Sequence, residues 1–226
     1  MHLLGRKKSL HIFAPPELEE VILLQLQVSN TTLAYQLNFH PTQAETTAII
    51  MANNQLEVIS FPLNHKIPTT GFFFREKQAL RGINAETVKE YNIPFRLFET
   101  LKSGSNYTTS EGNVILNEEL TTDPAIPRSY VYCTDTSYYE AVIPVIEGAD
   151  VLYHETTFMA DKAAIAAEKF HSTTIEAATI ASKANVRKLL IGHYSARYDD
   201  LQPLLEETRT VFPEAYLTQD GMVFDI

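Results

Sequence analysis

SYVYCTDTSYYEAVIPVIEGADVLYHETTFMADKAAIAAEKF, residues 129–170, is the stretch whose reading decides the fold class. A strand-like run, SYVYCTD, leads into a helix around YYEAVIPVIEG. A second run, ADVLYHE, leads into the helix ADKAAIAAEKF. The pattern continues with another helix beginning at Thr173, the strand KLLIGH, a helix around LQPLLEETRTVF, and the closing strands AYLTQ and MVFDI. Strand–helix alternation predicts an α/β sheet with helices packed on it.

Upstream the pattern differs. SLHIFAP (9–15) reads as a buried strand, and PPELEEVILLQLQVSN as a helix with Pro at its start and Glu in its first turn. TLAYQLNF, ETTAIIMAN, QLEVISFPL and TGFFFRE read as strands, with Asn53-Asn54 as a hairpin turn. Residues 30–76 are therefore expected to form an antiparallel meander. Residues 77–128 have poor apolar periodicity, with short helices at AETVKEY and PFRLFETLKSG and a break at Ser103-Gly104-Ser105-Asn106. A stretch of that length inside a compact domain reads as a functional or protruding loop.

With 226 residues the chain makes one large domain or two small ones. No apolar run approaches the roughly 18 residues of a membrane helix. The one cysteine, Cys133, excludes an internal disulfide and predicts a cytoplasmic protein. The net charge of −10 argues against nucleic acid as a partner of the whole surface. Residues 75–104, however, carry six basic side chains against four acidic ones, +2, which leaves −12 for the remainder. That segment reads either as an RNA-contacting arm or as a solvated excursion.

Three metal-type ligands stand at the ends of strand-like runs: His65 in FPLNHKIPTTGFFF, Asp135 in YVYCTDTSYY and His193 in KLLIGHYSARY. Asp135 reads as a ligand able to bridge two cations or as a helix N-cap. His193, after Gly192, reads as an imidazole ligand or a hydrogen-bonded strand-end histidine. His65 reads as a ligand or a loop histidine. His171 precedes a capping box of Thr173 and Glu176, where backbone N–H groups favour an anion such as phosphate. A histidine there can protonate a leaving oxygen, and Glu155 can orient it. Arg197 can hold a phosphate with two prongs or form a surface salt bridge. His2, His11 and His40 lack such context, and His11 reads as a satisfied core group. No P-loop, GxGxxG, CxxC or GxSxG occurs.

The runs YVYCTDTSYYEAV, ADVLYHETTF, KFHSTTIEAA and LLIGHYSARY resemble, in that order, the C-terminal motifs of ribonuclease Z. This endonuclease trims the 3′ end of precursor tRNA and belongs to the metallo-β-lactamase superfamily. NHKIPTTGFFFREK resembles the histidine motif before the family's tRNA-binding arm, and the resemblance covers essentially the whole chain. It implies a metallo-β-lactamase-like αββα sandwich and a site for two zincs. His65 resembles a ligand of one zinc, Asp135 the bridging carboxylate and His193 a ligand of the other. His171, supported by Glu155, resembles the residue assisting cleavage. Ser172, Thr173, Thr174 and Arg197 resemble phosphate contacts. Residues 77–125 resemble the flexible arm that grips the tRNA elbow, usually for the partner subunit of a homodimer. Ile93-Pro94-Phe95-Arg96 stands where many bacterial members carry Gly-Pro. The family pattern also opens with two strands and a His-x-His-x-Asp-His motif, which this chain does not contain. The expectation is that the N-terminal strands are missing and the ligand set is incomplete. Three ligands shared over two metals fall short of the three or four normal for each zinc, so zinc binding and cleavage are expected to be weak. Two alternatives stand beside this reading: a superfamily hydrolase acting on small esters or phosphodiesters, and a non-catalytic fragment that pairs with another chain.

Overall fold

A computed structural model describes residues 5–226 and divides the chain into two compact units. One consists of the residues up to Arg75 together with Arg128–Ile226, the other of Glu76–Pro127. His2 lies outside the described residues.

The larger unit is built on a seven-stranded mixed sheet, in the order Ala215–Leu217, Lys188–Gly192, Val151–Glu155, Ser129–Cys133, Thr70–Glu76, Leu56–Pro62, Ala48–Ala52. The first four strands are parallel. They are the strands of the alternating segment, and each is joined to the next through helical turns, as parallel neighbours require. Ser129–Cys133 then pairs antiparallel with Thr70–Glu76, Val131 opposite Phe73. The far edge is an antiparallel hairpin closed at Asn53, whose Oδ1 accepts the N–H groups of Gln55 and Leu56 at 2.8 Å.

One sheet face packs on helices. Val131, Cys133, Leu152, Leu189 and Ile191 meet Ile146 and Leu205, and the helix Thr174–Lys183 lies close to the sheet because its inner residues are Ala177, Ala178 and Ala181. The other face carries Phe72, Phe74, Tyr130, Tyr132 and Tyr153, with Tyr132 and Tyr153 stacked at 4.9 Å and Phe74 and Tyr130 at 6.1 Å. Burial pushes the Tyr130 and Tyr153 phenols up to about 12. Because four strands run the same way, their C-terminal ends meet along one sheet edge, the place where open α/β sheets present ligand sites.

Three expectations are corrected. The meander expected for residues 30–76 begins only at Ala48. Leu37–Pro41 pairs instead in parallel with Leu10–Ala14, in a separate two-stranded sheet. The helix Glu17–Val28 between them returns the chain to run in the same direction. His11 is not a core histidine: it is exposed, and its Nδ1 lies 2.8 Å from Nε2 of His40. The run MVFDI joins no ladder, and the last strand is Ala215–Leu217.

The smaller unit has its own core of Val88, Ile93, Leu101 and Leu120. Asn84 caps the helix Ala85–Glu90 by accepting from the N–H groups of Glu86 and Thr87. Asn117 ties the unit together, donating from Nδ2 to the carbonyls of Leu101 and Ser105, both at 2.7 Å. No helix among the described residues is long and apolar enough to cross a membrane.

Leu152 is fully buried on the central parallel strand, so Leu152→Ala leaves a cavity that the helices cannot close. Urea denaturation of the variant is expected to show a loss of about 2–5 kcal/mol; a loss below ~1 kcal/mol would contradict this description of the core.

Candidate metal centre

Asp135 and His193 follow the strands Ser129–Cys133 and Lys188–Gly192, which flank Val151–Glu155, and both take left-handed backbone, φ 56° and 60°. Phe170, just before His171, does the same at φ 58°. The other described non-glycine residues with positive φ are Asn30, Asn92 and Asn185, the residue type that tolerates this region best. The three that are not asparagine therefore all lie at or beside the candidate ligands. Such backbone costs about 1–3 kcal/mol per residue and concentrates at functional sites. Gly192 is needed for a different reason: a Cβ there would run into the Tyr153 ring and lie 2.7 Å from Thr218 Oγ1.

The turns aim their side chains at one another. One ligand atom each from Asp135, His171 and His193 lies within 4.8 Å of the others. His193 Nε2 is 3.4 Å from Asp135 Oδ1, with the two side chains 39% and 42% exposed. The rings of His171 and His193 are 5.2 Å apart, and those of His65 and His171 5.4 Å. His65 lies outside the closest group of three. Its Nδ1–H donates to the Phe170 carbonyl at 3.0 Å, which leaves Nε2 as its free nitrogen.

Behind the cluster sits Glu155, with no solvent exposure. Its carboxylate accepts from the N–H of Thr136 at 2.6 Å, the N–H of Ser172 at 3.1 Å, the hydroxyl of Thr157 at 2.6 Å and Nδ1 of His171 at 3.0 Å. A carboxylate only accepts, so His171 carries its proton on Nδ1 and turns Nε2 outward. The neighbouring His154 is buried and bonded to the Glu155 carbonyl. Desolvation lowers its pKa, and it serves as a neutral packing group.

The turn at Ser172, Thr173 and Thr174 does not present phosphate donors. Ser172 gives its N–H to Glu155 and its hydroxyl to the Thr136 carbonyl at 2.7 Å. Thr173 gives its N–H and hydroxyl to Glu176, and accepts from the Glu176 N–H, in the expected capping box. Thr174 donates its N–H to the Phe158 carbonyl and its hydroxyl to Glu207. All three residues are buried, so the turn holds His171 in place and does not face a ligand. Arg197 is exposed, 4.9 Å from the centroid of the Phe158 ring, with Nε donating to Ser195 at 3.0 Å. It pairs with no carboxylate among the described residues. Sequence reasoning missed Thr157 and the Phe170 carbonyl. The HETTF run marks the first; no residue type marks a backbone carbonyl.

No protein-family model matches the chain. The chain is 41% identical to a ribonuclease Z of Porphyromonas gingivalis over 224 residues, 99% of this chain and 74% of that protein. It is 42% identical to one of Parabacteroides distasonis over 220 residues, 97% of this chain and 72% of that protein. Among solved structures it is similar to human tRNase Z, short form, with a TM-score of 0.61 at 20% identity over 98% of this chain and 68% of that one. It is also similar to the metallo-β-lactamase fold protein YhfI of Bacillus subtilis, with a TM-score of 0.60 at 18% identity over 99% and 68%. The two structures give the fold, metallo-β-lactamase, and the two relatives, matched over nearly all of this chain and most of their own length, give the family: the chain belongs to the ribonuclease Z family.

Proposed function

We propose that this chain is a zinc-dependent endoribonuclease that removes the 3′ trailer of precursor tRNA. The observation that carries the reading is the meeting of Asp135, His171 and His193 at one sheet edge, with buried Glu155 behind His171. One carboxylate and several imidazoles form the borderline donor set that suits zinc. His65, Asp135 and His193 are the proposed ligands, with Asp135 shared between two metal positions. They are fewer than zinc normally uses, so metal binding and cleavage by this chain are expected to be weak and to depend on added zinc. Zinc bound there would supply an activated water and neutralise charge on the scissile phosphate.

The protein's own groups do the rest. Glu155 holds the His171 ring through Nδ1–H, so Nε2 faces the site. His171 assists the departing 3′ oxygen only as the imidazolium, after Nε2 has taken a second proton from solvent, which it then passes to that oxygen. Arg197, lying over the Phe158 ring, is free to take a phosphate oxygen. Residues 77–125 are the proposed arm for the tRNA elbow. Its five basic side chains all lie within residues 77–102, and that part is the one proposed to meet the RNA backbone, since the remainder of the arm is acidic. A homodimer, in which each arm serves the partner's substrate, and a cytoplasmic location that keeps Cys133 reduced complete the reading. A second reading follows from the group of three: His171 is itself a metal ligand in place of His65.

Elemental analysis and cleavage of precursor tRNA, both at added zinc, separate the two readings. Asp135→Ala is expected to lose bound zinc and cleavage together. His171→Ala is expected to keep its zinc while cleavage falls at least ~100-fold; loss of zinc in that variant would make His171 a ligand. Full cleavage by Asp135→Ala would sink the bridging role.

Deletion of residues 80–120 tests the arm. Cleavage of precursor tRNA is expected to vanish while hydrolysis of bis-p-nitrophenyl phosphate persists. Equal loss of both would mean that these residues support the fold and not the substrate.

A further inference from the structure

Thr157 stands between the two sides of the site. Its hydroxyl is 2.6 Å from Glu155 Oε2 and 2.8 Å from His193 Nδ1, and the residue is buried. A hydroxyl has one proton and two lone pairs. Both Glu155 oxygens face N–H donors, Oε1 that of Thr136 and Oε2 that of Ser172, so Glu155 acts as an acceptor and the Thr157 proton points to it; the reverse would set lone pairs against each other at 2.6 Å. The contact with His193 must then run the other way, with Nδ1–H donating to Thr157 Oγ1. The His193 carbonyl, 3.0 Å from the same hydroxyl, is an acceptor and cannot fill that place. His193 is left with an unprotonated Nε2, 3.4 Å from Asp135 Oδ1. Two lone-pair atoms at that separation repel unless a cation lies between them.

We infer that Thr157 is a positioning residue through which Glu155 sets the tautomer of His193, so that one buried carboxylate decides which nitrogen both His171 and His193 offer. Glu155 acts on His171 directly and on His193 through the hydroxyl. Partners of this kind orient imidazole ligands and tune their affinity for metal. The consequence for zinc rests on the proposed function; the tautomer itself does not.

The test uses the full chain, metal-free and labelled with 15N, at a pH raised until the ring signals no longer move, so that the rings are neutral. Long-range proton–nitrogen correlation reads which nitrogen of His193 is protonated. The expected result is Nδ1–H in the wild type, a mixture or Nε2–H in Thr157→Val, and Nδ1–H again in Thr157→Ser. Zinc affinity, measured by competition with a chromophoric chelator, is expected to weaken roughly 10–100-fold in Thr157→Val and to recover in Thr157→Ser. Nε2–H in the wild type would overturn the inference, and so would an unchanged tautomer in Thr157→Val. Should the valine variant not fold, the wild-type and serine spectra still decide. Wild-type chain with the expected tautomer and no zinc affinity would uphold Thr157 and count against the metal.

Discussion

A carboxylate with no access to solvent, Glu155, accepts hydrogen bonds from two backbone N–H groups, one hydroxyl and one imidazole. A buried charge is tolerated only when it is met in this way, and removing one partner costs about 1–3 kcal/mol. The four donors come from three loops: Thr136 after one strand, Thr157 after the next, and His171 with Ser172 before a helix. Glu155 thus fixes the relative positions of the loops that carry Asp135, His171 and His193. The same bonds that satisfy the charge build the site.

The sheet supplies the second constraint. Parallel strands end on one side, so the residues that follow them are brought together without any local sequence relation. Left-handed turns at Asp135, Phe170 and His193 then bend the chain sharply enough to point the side chains inward. Their strain is held by bonds around them: Ser195 N–H to the Thr157 carbonyl at 3.1 Å, Met159 N–H to the Tyr198 hydroxyl at 3.0 Å, and the Thr173–Glu176 capping box.

Much of this was legible in the sequence. Strand–helix alternation after residue 129 marks a sheet with helices packed on it, because apolar runs of four to six residues between helical patterns leave little choice of element; that its strands are parallel is seen only in the structure. His65, Asp135, His171 and His193 are marked in the sequence by ending strands or preceding a capping box, and the structure gathers three of them, Asp135, His171 and His193, at one edge. The failures have physical causes. Leu37–Pro41 was placed in the wrong sheet because strand pairing depends on contacts distant in sequence, which a strand pattern does not record. The family resemblance makes Ser172, Thr173 and Thr174 phosphate contacts, but a motif does not record where a turn's N–H groups go, and here they are given to Glu155, Glu176 and the Phe158 carbonyl. Thr157 lies in the HETTF run, which marks the loop, but its contact with both sides of the site follows only from its distances to Glu155 and His193.

The central claim is that the sheet edge at Asp135 and His193 is where this chain holds a metal. Anomalous diffraction at the zinc edge, from crystals of the chain equilibrated with zinc, tests it most directly. The account predicts a peak within coordination distance of Asp135 and His193. A peak only at the exposed His11–His40 pair, or no peak with those side chains well ordered, would contradict it.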